Sequence, residues 1–442
     1  MNNDIGFSDI VFNTRVELLP LGLFFLNFII ISIMLVRNYK RFGILSLSAY
    51  WIILSFVLCI QVQFFSAFSY INYTASHDIY RYSRFTNITY TICSIGLYSY
   101  FVGWLLADKV KFVPIGFNFV QRGTYGFFSS NVLYLISLGL MGLILVLYIA
   151  IGVPFGDSRI FALLNPALRP IINFGTSLFN FLLSIYLTSA IITRKKKFYI
   201  ITLLVVILSL WSGARGSLLN PIVMAVAIIS MTNKNKKIFK YVFGAVIIFL
   251  ILMLMKAIRD GQLLEEGLDF NNMLFEIFFG NTFSDLRDFT WIYSWWNGEF
   301  LYGKTIFAGV ISFVPSFISE YRELWGWGRW STSLVNLDSS IHGGLRPTVF
   351  GEAYFNFGIV GVIALGFFLG LNISRLDKII YIKINIDRAT KNELICLIGY
   401  SFIYYSIITA FVISSGYFNI YLKVILLLVG SLFVRKISKE IA

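Results

Sequence analysis

Residues Val132 to Gly152 read VLYLISLGLMGLILVLYIAIG, twenty-one positions without a charge. At 1.5 Å of rise per residue such a helix is about 31 Å long, enough to cross a hydrocarbon core of about 30 Å, and it offers water no face. The rest of the chain repeats this pattern. Of the 442 residues 58% are hydrophobic and only 13% charged, with a mean hydropathy of +0.78. A soluble domain needs about 25% charged residues to wet its surface, so a soluble globular protein is excluded. The net charge of +14 therefore belongs to membrane topology and not to nucleic-acid binding.

Uncharged apolar runs predict an all-α polytopic membrane protein with about eleven transmembrane helices. They are Leu18 to Val36, Ile44 to Phe65, Ile88 to Ala107, Val132 to Gly152, Ile171 to Ile192, Phe198 to Ser212, Ser217 to Met231, Tyr241 to Ile258, Val349 to Leu371, Leu394 to Ser414 and Ile420 to Val434. Alternate loops are strongly basic, around Arg37, Lys109, Arg194, Lys234, Arg375 and Arg435, and together hold 22 of the 36 lysines and arginines. Basic residues beside membrane spans stay on the cytoplasmic side, which predicts an outer N-terminus and a cytoplasmic C-terminus. The first residues, with Asp4, Asp9 and Glu17, lack the basic start of a signal peptide, so the first helix is expected to be retained.

Cys59, Cys93 and Cys396 fall inside predicted helices and show no ligand spacing with His77 or His342, so they read as packing residues. No phosphate-binding loop, dinucleotide fingerprint, HExxH helix or fixed-period repeat occurs. No acidic cluster suggests a metal, and no cofactor is expected.

Two outward features break the rule of short connections. The first is the pair of short spans joined by Gly213, Ala214, Arg215 and Gly216. Fifteen residues rise only about 22 Å, which sets the hairpin at 213–217 near or slightly below the outer membrane boundary. An arginine at that depth marks function more often than a snorkelling surface group. The second is Arg259 to Pro347, too long for a connector and too aromatic for a disordered linker. It divides the chain into an N-terminal bundle (1–258), an outer loop (259–348) and a C-terminal set of spans (349–442). Six of the nine tryptophans lie there (Trp291, Trp295, Trp296, Trp325, Trp327 and Trp330), suited either to anchoring at the lipid interface or to stacking on sugars. Thr305 to Ser319 reads as a re-entrant or interfacial segment.

The outer side carries eleven arginines and one lysine, Lys304, whereas the cytoplasmic loops carry seven arginines and fifteen lysines. Topology alone does not sort the two types. The planar guanidinium fork matches phosphate or carboxylate oxygens and keeps its charge in a low-dielectric site, so an anionic ligand is expected on the outer face. Arg287 and Arg322 are assigned by default to surface pairs with Asp285, Asp288, Glu320 or Glu323.

Three stretches carry a family resemblance: Ser212-Gly213-Ala214-Arg215-Gly216-Ser217; Tyr302-Gly303-Lys304-Thr305 followed by Phe313-Val314-Pro315; and Pro347-Thr348-Val349-Phe350-Gly351-Glu352-Ala353-Tyr354-Phe355-Asn356-Phe357-Gly358-Ile359-Val360-Gly361. With the overall plan, they resemble the Wzy-type O-antigen and oligosaccharide repeat-unit polymerases of bacterial inner membranes. The resemblance implies a large periplasmic loop, an undecaprenyl-pyrophosphate-linked oligosaccharide as substrate, and transfer of the growing glycan to a new lipid-linked unit in lipopolysaccharide O-antigen biosynthesis. It also implies a chain-length regulator as partner, alongside membrane lipid.

Fixed arginines would stabilise the charge gathering on the leaving pyrophosphate, so Arg215 and Arg259 are expected to bind it and act in catalysis. Tyr302, Lys304 and Arg346 join them as substrate-binding candidates. For the proton on the acceptor hydroxyl, His342 and Glu352 are the candidates; His77 has a weaker claim. The rival readings are an O-antigen ligase using the same donor, with His342 central, and a flippase, for which paired repeats with broken helices are expected and not found.

Overall fold

A computed structural model describes residues 16–42, 46–66, 79–110, 117–155, 161, 165, 168–212, 283–314, 318–338, 344–385, 397, 401, 403–407 and 414–434. Within them every regular element is helical. The first part of the chain holds α1 (Leu18–Phe42), α2 (Leu47–Trp51) continued by a π-helix (Ile52–Gln61), α3 (Gln63–Ser66) and α4 (Ile79–Leu106), then α5 (Phe117–Ser129), α6 (Asn131–Ile151), α7 (Arg169–Thr193) and α8 (Lys196–Trp211). The second part holds α9 (Asp285–Trp295), α10 (Lys304–Val310), α11 (Glu320–Trp325), α12 (Trp327–Leu334), α13 (Thr348–Asn385) and, after a 3-10 turn at Ser414–Gly416, α14 (Tyr417–Leu432).

Six helical stretches are long and apolar enough to cross a membrane: Leu18–Phe42, Phe85–Leu106, Asn131–Ile151, Phe174–Thr193, Thr348–Lys383 and Ser414–Leu432. Each lies where a span is expected from sequence, and the shorter helices Leu47–Gln61 and Lys196–Trp211 occupy two further expected positions. Expected spans at 217–231 and 241–258 lie outside the described residues, as does most of 394–414. Leu135, Leu143, Val146 and Ile149 of α6 and Phe25, Phe28 and Ile29 of α1 are exposed, an outward face that lipid covers without cost. The chain is thus an all-helical membrane protein. Arg122, which the sequence reading counts with Lys109 and Lys111 in one basic cytoplasmic loop, lies in α5. Gly123 and Gly126 let the backbone of this helix meet Leu427 and Gly430 of α14, while Arg122 stays exposed.

The central seam joins α4 to α13 through small residues. A Cβ added at Gly366 would come within 2.5 Å of the Gly96 carbonyl, and one at Gly103 or Gly370 would collide with the Phe367 or Tyr100 carbonyl. Contact numbers rise together along both helices, so they run parallel. Around this seam α2 runs antiparallel to α4, with Trp51 stacked on Tyr100 at 4.2 Å and the Tyr90 hydroxyl donating to Gln61 at 2.7 Å. At one end of the seam Arg41 pairs with Asp108 at 2.6 Å, Arg37 lies 3.8 Å from Asp108, and Lys378 donates to the Asp108 carbonyl at 3.3 Å. We call this the basic end.

Asp377, fully buried near that end of α13, accepts the backbone N–H groups of Leu47 (2.7 Å) and Ser48 (2.9 Å) together with the Ser48 hydroxyl. It caps α2 from another helix, satisfying donors that a helix start leaves open and that lipid cannot satisfy.

Candidate functional site

At the opposite end α13 does not run on as one rod. Gly358 takes φ 62° and ψ −151°, a conformation open essentially to glycine alone, and the helix breaks there. The residues before the break fold back on those after it. A Cβ at Gly361 would come within 2.5 Å of the Ala353 carbonyl, and Phe350 and Gly366 both press on Gly96. The half-helix from Thr348 therefore re-enters beside α4 and does not project away from it.

A break strands carbonyls that a continuous helix would satisfy, and here the loop before α10 meets them. Leu301 and Tyr302 donate their N–H groups to the carbonyls of Phe355 (2.9 Å) and Asn356 (3.1 Å), and Gly303 donates to Asn356 Oδ1 at 2.9 Å. Glu352 closes the arrangement. Its Oε1 accepts from the Thr305 hydroxyl and its Oε2 from the N–H of Ser414, both at 2.8 Å, while Asn356 Nδ2 donates to Thr305 Oγ1 at 2.8 Å. This carboxylate, 2% exposed, ties the fold-back, α10 and the start of α14 together. Its partners among the described residues are a hydroxyl and an amide, the second at a helix start where negative charge is favoured.

Helix α9 supplies a second re-entrant arm. Thr290 pairs with Thr89 at 2.9 Å and Tyr293 packs on Phe85, so α9 runs antiparallel to α4, with Asp285 at its inner end. On α4 the same level is marked by Cys93, which touches Thr348 Oγ1 at 3.6 Å. Cys93 lies eight residues along α4 from Phe85, about 12 Å at 1.5 Å per residue.

Charges gather at that level. Arg287 holds Asp288 Oδ1 through Nη2 (2.8 Å) and Nε (3.2 Å), and both side chains are buried. Asp288 Oδ2 accepts from the Ser284 hydroxyl and from the Arg346 N–H, each at 3.2 Å. Arg346 Nη2 donates to Ser284 Oγ at 2.6 Å, and its guanidinium lies close enough to Asp285 to act on that carboxylate's charge. The Cys59 thiol lies close enough to Asp285 to act on the same carboxylate. Arg346 is exposed and Asp285 partly so, so this cluster opens outward through them. A buried charge is costly unless paired, and Arg287 and Asp288 pair with each other.

The loop tryptophans differ in exposure: Trp291 and Trp327 are buried, Trp296, Trp325 and Trp330 are half-buried and Trp295 is exposed. Trp296, Trp327 and Trp330 surround Phe355 at ring distances of 5.4, 6.0 and 5.4 Å. They form a core that seats α9 and α12 on the fold-back, with Trp327 Nε1 bonded to the Leu345 carbonyl at 2.9 Å. At Trp325 the exposed Lys304 places its ammonium 4.2 Å from the ring centre. Tyr302 stands beside Lys304, 77% exposed.

Of the residues chosen from sequence, the fold brings Tyr302, Lys304 and Glu352 together at the break and sets Arg346 in the charged cluster. Arg215, Arg259, His342 and His77 lie outside the described residues. Arg287 pairs with Asp288 as expected, but as a buried pair and not a surface one; Arg322 donates to the Val314 carbonyl, and it is Arg329 that reaches Glu323, at 3.3 Å. The sequence did not single out Ser284, and Asp285 and Asp288 were read only as surface partners of an arginine. The signal available was the density of charge in Ser284-Asp285-Leu286-Arg287-Asp288 within an otherwise apolar chain. Comparisons with protein-family models, with curated proteins and with solved structures return no match for this chain.

Proposed function

We propose that the chain is an oligosaccharide repeat-unit polymerase of the Wzy type in a bacterial inner membrane. It moves a growing glycan from undecaprenyl pyrophosphate to the end of a new lipid-linked unit on the periplasmic side. One observation supports this reading: the stretch from Pro347 to Gly361, which bears the resemblance, is the fold-back, and the exposed guanidinium of Arg346 directly before it stands in the cluster with Ser284 and Asp288. A guanidinium fork placed so can meet the oxygens of a lipid-borne pyrophosphate while they gather charge. In this reading Arg215 and Arg259 supply further positive charge, the exposed pair of Tyr302 and Lys304 lines the approach for sugar, and Glu352 holds the frame. The basic end faces the cytoplasm.

Deleting the gene and resolving the extracted lipopolysaccharide on a gel tests the reading. A core carrying a single repeat unit is the expected result. Bare core with polymer left on the lipid carrier would instead identify a ligase, bare core with single units trapped inside would identify a flippase, and an unchanged ladder would remove the protein from this pathway. Complementation with Arg215→Ala or Arg346→Ala should restore membrane-resident protein without restoring polymer.

A further inference from the structure

Three carboxylates lie around the fold-back, and their surroundings differ in one respect that matters for proton transfer. Glu352 has each oxygen engaged, one by Thr305 and one by Ser414, and is sealed from solvent. Asp288 accepts two bonds from Arg287 on Oδ1 and two on Oδ2, from Ser284 and the Arg346 amide, and is likewise buried. Asp285 is partly exposed and lies beside the Cys59 thiol and the Arg346 guanidinium. A partly exposed carboxylate can meet a substrate hydroxyl, which the two sealed ones cannot.

We infer that in the polymerase reaction proposed above Asp285 is the carboxylate that takes the proton from the attacking hydroxyl of the acceptor sugar. Its placement meets the requirements of the task. It begins α9 beside α4, at the level of Cys93. Arg346 stands beside it, so the site that receives the proton adjoins the site that receives the anion. The Arg287–Asp288 pair and Ser284 fix the adjoining turn of α9 and the backbone of Arg346, which holds the two groups in register.

The step balances. The acceptor O–H gives its proton to an Asp285 oxygen, and the freed electron pair forms the new bond to C1 of the donor sugar. The bond from C1 to the phosphate oxygen breaks, its electrons leave with undecaprenyl pyrophosphate beside Arg346, and Asp285 later returns the proton to water through the open side.

The test uses full-length protein in lipid nanodiscs supplied with lipid-linked repeat units. Asp285→Asn should lower kcat by about 10²- to 10⁴-fold, the usual contribution of a positioned base, while the lipid-linked unit still binds. The acid limb of the pH–rate profile should vanish in that variant, move in Asp285→Glu and persist in Glu352→Gln. An acid limb that survives Asp285→Asn, or that vanishes in Glu352→Gln instead, would overturn the assignment. So would loss of substrate binding in both Asp285 variants, which would make the residue structural. Wild-type protein that forms no polymer from these units would refute the polymerase reading itself.

Discussion

The two ends of α13 solve one problem in different ways. Each buries a carboxylate that caps a neighbouring helix, Asp377 on α2 and Glu352 on the start of α14. At the basic end the helix is continuous, the cap stands within one straight seam, and the charges nearby are the partly exposed Arg41–Asp108 and Arg37–Asp108 pairs. At the other end Gly358 breaks the helix, the loop from Leu301 to Gly303 takes over its free carbonyls, and the buried Arg287, Asp288 and Glu352 stand with the partly exposed Asp285 and the exposed Arg346. A buried carboxylate is therefore not by itself a mark of chemistry. The partly exposed carboxylate and the exposed guanidinium distinguish the second end.

The strongest way to break this comparison is to remove the caps. Asp377→Ala leaves two buried amides of α2 and a hydroxyl without an acceptor, a loss of about 3–9 kcal/mol at roughly 1–3 kcal/mol per group. Thermal unfolding in detergent should show it, and the surviving folded protein should keep its activity per molecule. Glu352→Ala should cost less stability, since one amide and the Thr305 hydroxyl lose their acceptor where Asp377 serves two amides and a hydroxyl, yet reduce activity per molecule because α10 and Lys304 lose their anchor. Equal activity losses from the two would dissolve the distinction between the ends.

A sharper probe is Gly358→Ala. The backbone there disfavours any side chain, and an added Cβ meets Phe300 at 3.1 Å. The expected penalty is about 1–3 kcal/mol, with a fall in polymer formation, whereas Gly22→Ala on α1, where nothing lies within 4 Å, should change neither. The smallest effect belongs to Arg41→Ala at the basic end. Its bridge is about one-third exposed on both sides, so unfolding should shift by less than about 1 kcal/mol. A larger shift would show that this end depends on charge as much as the other.

Much of this was legible beforehand. Uncharged runs of about 20 residues located each of the six long spans, because the cost of exposing a polar residue to lipid is local and leaves a contiguous trace. Tyr302, Lys304 and Glu352, chosen from stretches that resemble a known family, are gathered by the fold at the Gly358 break, and Arg346 stands just before it. Which of the loop tryptophans turn inward, as Trp291 and Trp327 do, was not legible, since composition shows how many rings a loop has and not what they face. Arg287 was assigned to the surface for a similar reason: in one dimension it stands between two aspartates in a polar stretch, and nothing there reports depth.

Sequence alone determined that the chain lives in a membrane, where its helices run, and which loops collect positive charge, all properties of short windows. Only the tertiary structure decided that the helix after Pro347 turns back on itself, because that depends on Gly358 lying where Leu301 and Tyr302 can donate to the carbonyls its break exposes. It alone decided that Asp377 answers Leu47 across 330 positions of sequence, and that Asp288 meets Arg346 across 58 while Asp285 sits beside Cys59. In lipid every polar group must find a partner within the protein, and those partners are fixed by how helices stack, not by what is adjacent along the chain.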